Sequence, residues 1–266
     1  MKRSLIIITL AAFILAACGG GSAQANQAAR GIDGIEIAEV VFAKGLSENM
    51  EPVDATTSYD PLEQINVSVR INGRPKEGVI SAKFMFRDLL IAETSLDLSQ
   101  VNKGVLFSVG QNTFAGFFLN HDEPLYISPN YRVALFINDK AAGEYSYSVV
   151  PPADAVKTVI RRTEFAKGVT AIMDPIEPTT VFAPSDNVFF IGNGDFGRLS
   201  WLQAEWISNG NQLEQTCTKS IVLKNNLEQD RFYFSCSLED GWPAGTHAVR
   251  LTVDDVIITE ATFTVE

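Results

Sequence analysis

The sequence predicts an all-β chain built as two β-sandwich domains in tandem. Three observations predict it: an internal duplication, short segments whose apolar residues alternate with a period of two, and the absence of any long 3.6-residue period in the body of the chain. Phe42-Ala43-Lys44-Gly45 returns as Phe165-Ala166-Lys167-Gly168, 123 positions on (42 to 165). At the same spacing Thr56-Thr57 meets Thr179-Thr180, Tyr59 meets Phe182, Pro61 meets Pro184, and Glu63-Gln64-Ile65 meets Asp186-Asn187-Val188. Towards the ends of the copies the spacing becomes 116 (133 to 249), where Val133, Leu135 and Ile137 align with Val249, Leu251 and Val253. The shorter spacing implies a longer connection inside the first copy.

The chain opens with Lys2 and Arg3, then an apolar run from Leu5 to Ala16, then Leu15-Ala16-Ala17-Cys18. A bilayer-spanning helix needs about 20 apolar residues, and this run stops short of that before Gly19-Gly20-Gly21. A basic start, a short apolar core and a small-residue site are the layout of a secretory signal peptide. With cysteine at its end the segment resembles the lipobox of bacterial lipoproteins. The resemblance implies cleavage before Cys18, a diacylglycerol thioether on its sulfur, an acylated new N-terminus and membrane lipid as a partner. Gly19 stands where many enterobacterial lipoproteins of the inner membrane carry aspartate, which favours an outer membrane if the cell has one. Residues 1–17 are thus read as signal peptide. Residues 18–33, rich in Gly, Ala, Ser, Gln and Asn, are read as the lipidated cysteine and a flexible tether.

The first domain is expected over 34–150. Gln64 to Ile71 alternates, with Ile65, Val67, Val69 and Ile71 on one face. Val133, Leu135 and Ile137 alternate likewise, and Asn138-Asp139 makes a two-residue turn into a closing strand that ends at Val149. Pro151-Pro152-Ala153-Asp154 starts a short linker, 151–157, and the second domain follows over 158–266, with Asp254-Asp255 at the matching turn. The closing hairpin resembles the last two strands of bacterial immunoglobulin-like and fibronectin-type modules. That likeness implies tandem immunoglobulin-like sandwiches and says nothing of function.

Cys217 and Cys236 remain once Cys18 carries lipid, and an even pair in an exported protein predicts a disulfide. Closing a loop of about 20 residues, it contributes about 3 kcal/mol on the chain-entropy estimate. Loss of Lys2 and Arg3 leaves 19 basic residues against 32 acidic ones, a net charge of −13. An acidic surface repels phosphate backbones, so nucleic acid is not expected as a partner.

Catalytic chemistry has little to draw on. No G-x-S-x-G, H-E-x-x-H, C-x-x-C or P-loop pattern occurs, and His121 and His247 are the only histidines. No catalytic residue, metal ligand or cofactor is expected. Gly192-Asn193-Gly194-Asp195-Phe196-Gly197 spells G-x-G-x-x-G, but Leu199 to Ser208 reads as a strand where a dinucleotide site needs a helix, so these glycines are expected in a loop between strands. The Asn/Asp pairs at 138–139, 186–187 and 254–255 read as turn chemistry rather than calcium ligands.

Trp201 is the candidate contact residue. Aligning Ile80, Ala82 and Phe84 with Leu202, Ala204 and Trp206 puts Trp206 in the core and turns Trp201 away from it. Trp201 then either packs under a loop or the other domain, or offers a surface for a partner protein or a sugar ring. Trp242 reads as a structural plug, and Gly116-Phe117-Phe118-Leu119 as half core, half surface. The expected role is that of a lipid-anchored, exported envelope protein with a non-catalytic scaffolding or binding function toward a protein partner, the alternative being a glycan or small ligand.

Overall fold

The computed structural model describes residues 31–213, 217 and 219–266. Among them regular structure is all β apart from one 3-10 turn at Leu98–Gln100. The lipobox, Cys18 and the tether up to residue 30 lie outside the described residues. The tether reading does not reach 33: Ile32 pairs with Ile35, and Asp33 accepts from Lys140 Nζ at 2.7 Å and Asn138 Nδ2 at 3.1 Å.

The first module runs β1 (Ile37–Leu46), β2 (Pro52–Ala55), β3 (Ser58–Tyr59), β4 (Ile65–Asn72) and β5 (Val79–Phe86). It continues with β6 (Leu89–Asp97), β7 (Leu106–Val109), β8 (Asn112–Leu119), β9 (Ser128–Ile137) and β10 (Lys140–Val149). Two sheets result, ordered β2-β1-β4-β8-β7 and β3-β10-β9-β5-β6. The alternation in the sequence decides the faces: Ile65, Val67, Val69 and Ile71 of β4 and Val133, Leu135 and Ile137 of β9 are all fully buried between the sheets. The order β1-β4-β8-β7 against β10-β9-β5 is that of an immunoglobulin sandwich.

The second module repeats this with β11 (Val159–Val169), β12 (Pro175–Pro178), β13 (Val181–Phe182), β14 (Val188–Asp195) and β15 (Trp201–Ser208). Then come β16 (Asn211–Gln212), β17 (Lys219–Val222), β18 (Arg231–Cys236), β19 (Gly245–Val253) and β20 (Val256–Val265). Its sheets are β12-β11-β14-β18 and β13-β20-β19-β15-β16, with β17 also paired to β15. In both modules the closing turn has both residues at positive φ, 47° and 63° at Asn138-Asp139 and 52° and 66° at Asp254-Asp255. That is the two-residue hairpin turn whose twist matches the strands. A tyrosine corner closes the first module, where Tyr131 Oη donates to the Tyr126 carbonyl at 2.9 Å. His247 holds the matching place in the second and bonds the Pro243 carbonyl through Nε2 at 2.8 Å.

The modules differ in one stretch, the source of the longer connection in the first copy. There β6 pairs with β5 along its whole length and β7 covers β8. In the second module two short strands replace β6, and Cys217 between them is bonded to Cys236 at the end of β18, with the Cα atoms 5.0 Å apart. The predicted disulfide is present and ties one sheet to the other.

Gly192 and Gly194 lie inside β14, not in a loop as the G-x-G-x-x-G reading placed them. A Cβ on Gly192 would come within 2.3 Å of the Phe232 ring, and one on Gly194 within 2.1 Å of the Val159 carbonyl oxygen. Close packing requires these glycines.

Candidate functional site

The strongest concentration of specific side-chain chemistry is the junction between the modules. Trp201 opens β15 and, by strand parity, turns away from Leu202, Ala204 and Trp206, which fill its own module's core. It does not face solvent. Trp201 is 4% exposed and belongs to the apolar cluster of the first module. Tyr126 stacks on it, with ring centroids 4.4 Å apart and planes at 24°, and Phe86 packs at 5.9 Å. The Arg87 guanidinium lies 5.2 Å over the indole. Of the two readings of Trp201, packing against the other domain is the one found and an open contact surface is not: its contact partner is the other half of the same chain. The physical reason is its place at the end of β15 that meets the β5–β6 turn.

Polar bonds surround the indole. Arg87, on the β5–β6 turn with φ 53°, forms an ion pair with Asp255 on the β19–β20 turn and reaches Gln203 Oε1 at 3.3 Å. Non-glycine residues rarely adopt that backbone conformation, and the bonds from its guanidinium hold it there. Ser128 Oγ and Asn130 Nδ2 each donate to Asp255 Oδ2 at 2.6 Å. Burial alone raises the Asp255 carboxyl, but Arg87, Ser128 and Asn130 outweigh it and hold the pKa below the ordinary value. Asp254 turns inward instead: its Oδ1 accepts from Trp201 N at 2.8 Å and its Oδ2 from Ser200 Oγ at 3.3 Å. Burial, with no cation beside it, pushes Asp254 up to about 6.

The linker is clamped as well. Asn226 accepts from the backbone of Val156 and Arg198, each at 2.9 Å, and donates to the Asp154 carbonyl at 2.8 Å. Arg198 Nε donates to Asp154 at 2.8 Å. The stretch before β18, which in the first module forms β7, here serves the linker.

Of the remaining residues singled out by sequence, His121 is bonded to the carbonyls of Glu123 and Glu63, and Trp242 is buried against Phe263. Phe117 and Leu119 are core. Among the described residues no group of three His, Cys, Asp or Glu is placed to hold a metal ion. What sequence reasoning missed is the Arg87–Asp255 latch. The signal was there in the repeat: exposed Val79 of the first module is matched by a tryptophan, a change with no use inside the second module.

A groove of about 350 Å³ on the second module is lined by Arg162, Glu164, Met173, Asp174, Asn193 and Arg231. Leu89, Leu90 and Ile91 follow the β5–β6 turn, and Val256, Ile257 and Ile258 follow the β19–β20 turn; all six are exposed.

No protein-family model and no curated protein matches this chain. Among solved structures, the cryo-EM reconstruction of the native conformation of E. coli alpha-2-macroglobulin is similar at 10% identity with a TM-score of 0.28. The similarity covers 85% of this chain and 16% of that one.

Proposed function

We propose that this chain is an exported lipoprotein, anchored through acylated Cys18, that binds an envelope protein through its sandwich surfaces and has no catalytic centre. The observation that carries the binding role is the pair of exposed apolar runs, Leu89-Leu90-Ile91 and Val256-Ile257-Ile258. They begin at the two turns joined by the Arg87–Asp255 pair. Water solvates such residues poorly, and three in succession at the start of each of two strands that leave joined turns mark a surface for a partner. The lipobox supplies the anchor in this reading, and the stacked and bonded junction makes one arm of two modules.

A second reading, binding of a glycan or small polar ligand, draws on the groove of about 350 Å³ with its two arginines, an asparagine and two carboxylates. Its volume is at the small end of the ligand-pocket range. Trp201 gives this reading no support, because both faces of its ring are occupied within the protein.

The test pairs fractionation with purification. Wild-type protein is expected in the membrane fraction with labelled fatty acid on it, and Cys18→Ser in the soluble fraction without label. Mild-detergent purification through a C-terminal tag should then recover one protein at fixed stoichiometry. Recovery of the lipoprotein alone, with glycans binding to it on an array, would replace the first reading by the second.

A further inference from the structure

Among the described residues, one sheet edge of the second module has no strand where the first module carries one. In the first, β7 lies antiparallel on β8, from Leu106 opposite Ala115 to Val109 opposite Asn112. In the second, β18 takes the place of β8, and among the described residues no strand pairs with its other side. The pairings fix the equivalence: Val67 faces Phe117 and Val69 faces Ala115, while Phe190 faces Phe234 and Gly192 faces Phe232. Phe232 therefore stands at the position of Ala115, and the counterpart of β7 would run beside Gln229 to Phe232.

A cavity of about 280 Å³ lies along this edge. Four consecutive residues line it, Phe232, Tyr233, Phe234 and Ser235, together with Gln229. Side chains alternate between faces along a strand, so a cavity touching all four follows the edge of β18 rather than either face. Ile221 of β17 and Met173 of the β11–β12 turn line it too.

Exposed edges are commonly blunted by proline, lysine, bulges or shortness. Here β12 is bounded by Pro175 and Pro178, β2 starts with Pro52, β3, β13 and β16 have two residues each, β7 has four, and the pairing of β6 contains a register shift. By contrast β18 pairs with β14 in an unbroken register and contains neither proline nor lysine. Its one charged residue, Arg231, is already paired with Asp174.

We propose that the β18 edge is a strand-addition site. An extended segment of a partner protein lies antiparallel beside Gln229–Phe234, bonds main chain to main chain, and places an apolar side chain in the cavity. The first module carries the template for that occupant: β7 makes the same antiparallel contact, and its Leu106 is buried. Main-chain bonds of this kind give affinity, and the cavity selects the side chain. The proposal rests on the protein-binding reading above and names its mode of contact.

The probe is a synthetic peptide with the sequence of residues 105–111, Val-Leu-Phe-Ser-Val-Gly-Gln, titrated into the isotope-labelled mature chain carrying Cys18→Ser. Saturable shifts and slowed amide exchange confined to residues 229–234 are expected. N-methylation at successive peptide residues should abolish binding at alternate positions only, because alternate amides face the edge. Absence of saturable shifts at 229–234, or equal tolerance of every methyl, overturns the proposal. Protection of the same amides that grows with protein concentration without peptide also overturns it, in favour of a second copy as occupant. If crosslinking in cells finds a partner protein while β18 stays silent, the binding reading stands and the strand-addition site falls.

Discussion

Asp254 and Asp255 are neighbours on one turn, yet the fold shifts their acidities in opposite directions. Asp255 meets a cation and two neutral donors; Asp254 meets only an amide and a hydroxyl. The folded-state pKa of Asp254, about 6, lies above its ordinary 3.8, so the folded chain holds that proton more tightly than the unfolded one. Its contribution to stability is therefore greatest below about pH 4 and declines as pH rises to about 6, by on the order of 3 kcal/mol. Asp255 has the reverse sign: its contribution is present above 3.8 and is lost as pH falls through its lowered pKa. With both signs combined, the junction should be strongest near pH 4 and weaken on either side, toward acid as Asp255 protonates and toward about pH 6 as Asp254 ionises. The first module shows what removes the Asp254 penalty. Asn138 stands at the matching turn position and accepts from Val79 N at 2.9 Å, as Asp254 does from Trp201 N. Asp254→Asn should keep that bond without a buried charge. Its melting temperature at pH 7 is expected to exceed that of the wild type, with the decline between about pH 4 and about pH 6 flattened. A variant less stable than wild type at pH 7 would contradict this account.

At the scale of elements, the junction joins a strand start and two turns that are far apart in sequence. Trp201 is the side chain of the second module that enters the first module's core cluster. Its removal leaves a cavity against Tyr126 and Phe86, and large-to-small changes of this kind cost about 3–5 kcal/mol. Calorimetry should show one transition for the wild type and two for Trp201→Ala; an unchanged single transition would mean that the contact does not couple the modules. The alternation in β4, β9 and β15 was legible from sequence because a strand with one buried face must repeat every second residue. The two closing turns were legible because Asn and Asp tolerate positive φ. Parity also turned Trp201 away from its own core. What covers it was not legible, since Tyr126, Phe86 and Arg87 reach it only through the packing of one module on another. Gly197 lies in the β14–β15 connection as expected, but Gly192 and Gly194 were misplaced because their requirement is steric, a ring and a carbonyl from other strands, and a linear motif does not show that. The edge of β18, unpaired among the described residues, was hidden for a related reason: the repeat aligns the strands present in both modules and is silent on β7, which has no counterpart among those residues.

At the scale of the whole molecule, the described residues form two sandwiches joined through a stacked, ion-paired and linker-clamped contact. A lipid at Cys18 would hold such an arm at a membrane, and the two exposed apolar runs beside the junction would meet the partner. The edge of β18 would add a second point of contact. The most direct measurement is site-specific photocrosslinking in cells, with the reactive residue placed at Leu90, at Ile257 and, as a control, at exposed Glu48 on the first module. The same protein adduct is expected from Leu90 and Ile257 and none from Glu48. Absence of any protein adduct at Leu90 and Ile257, with the intact protein recovered from the same cells, would contradict it.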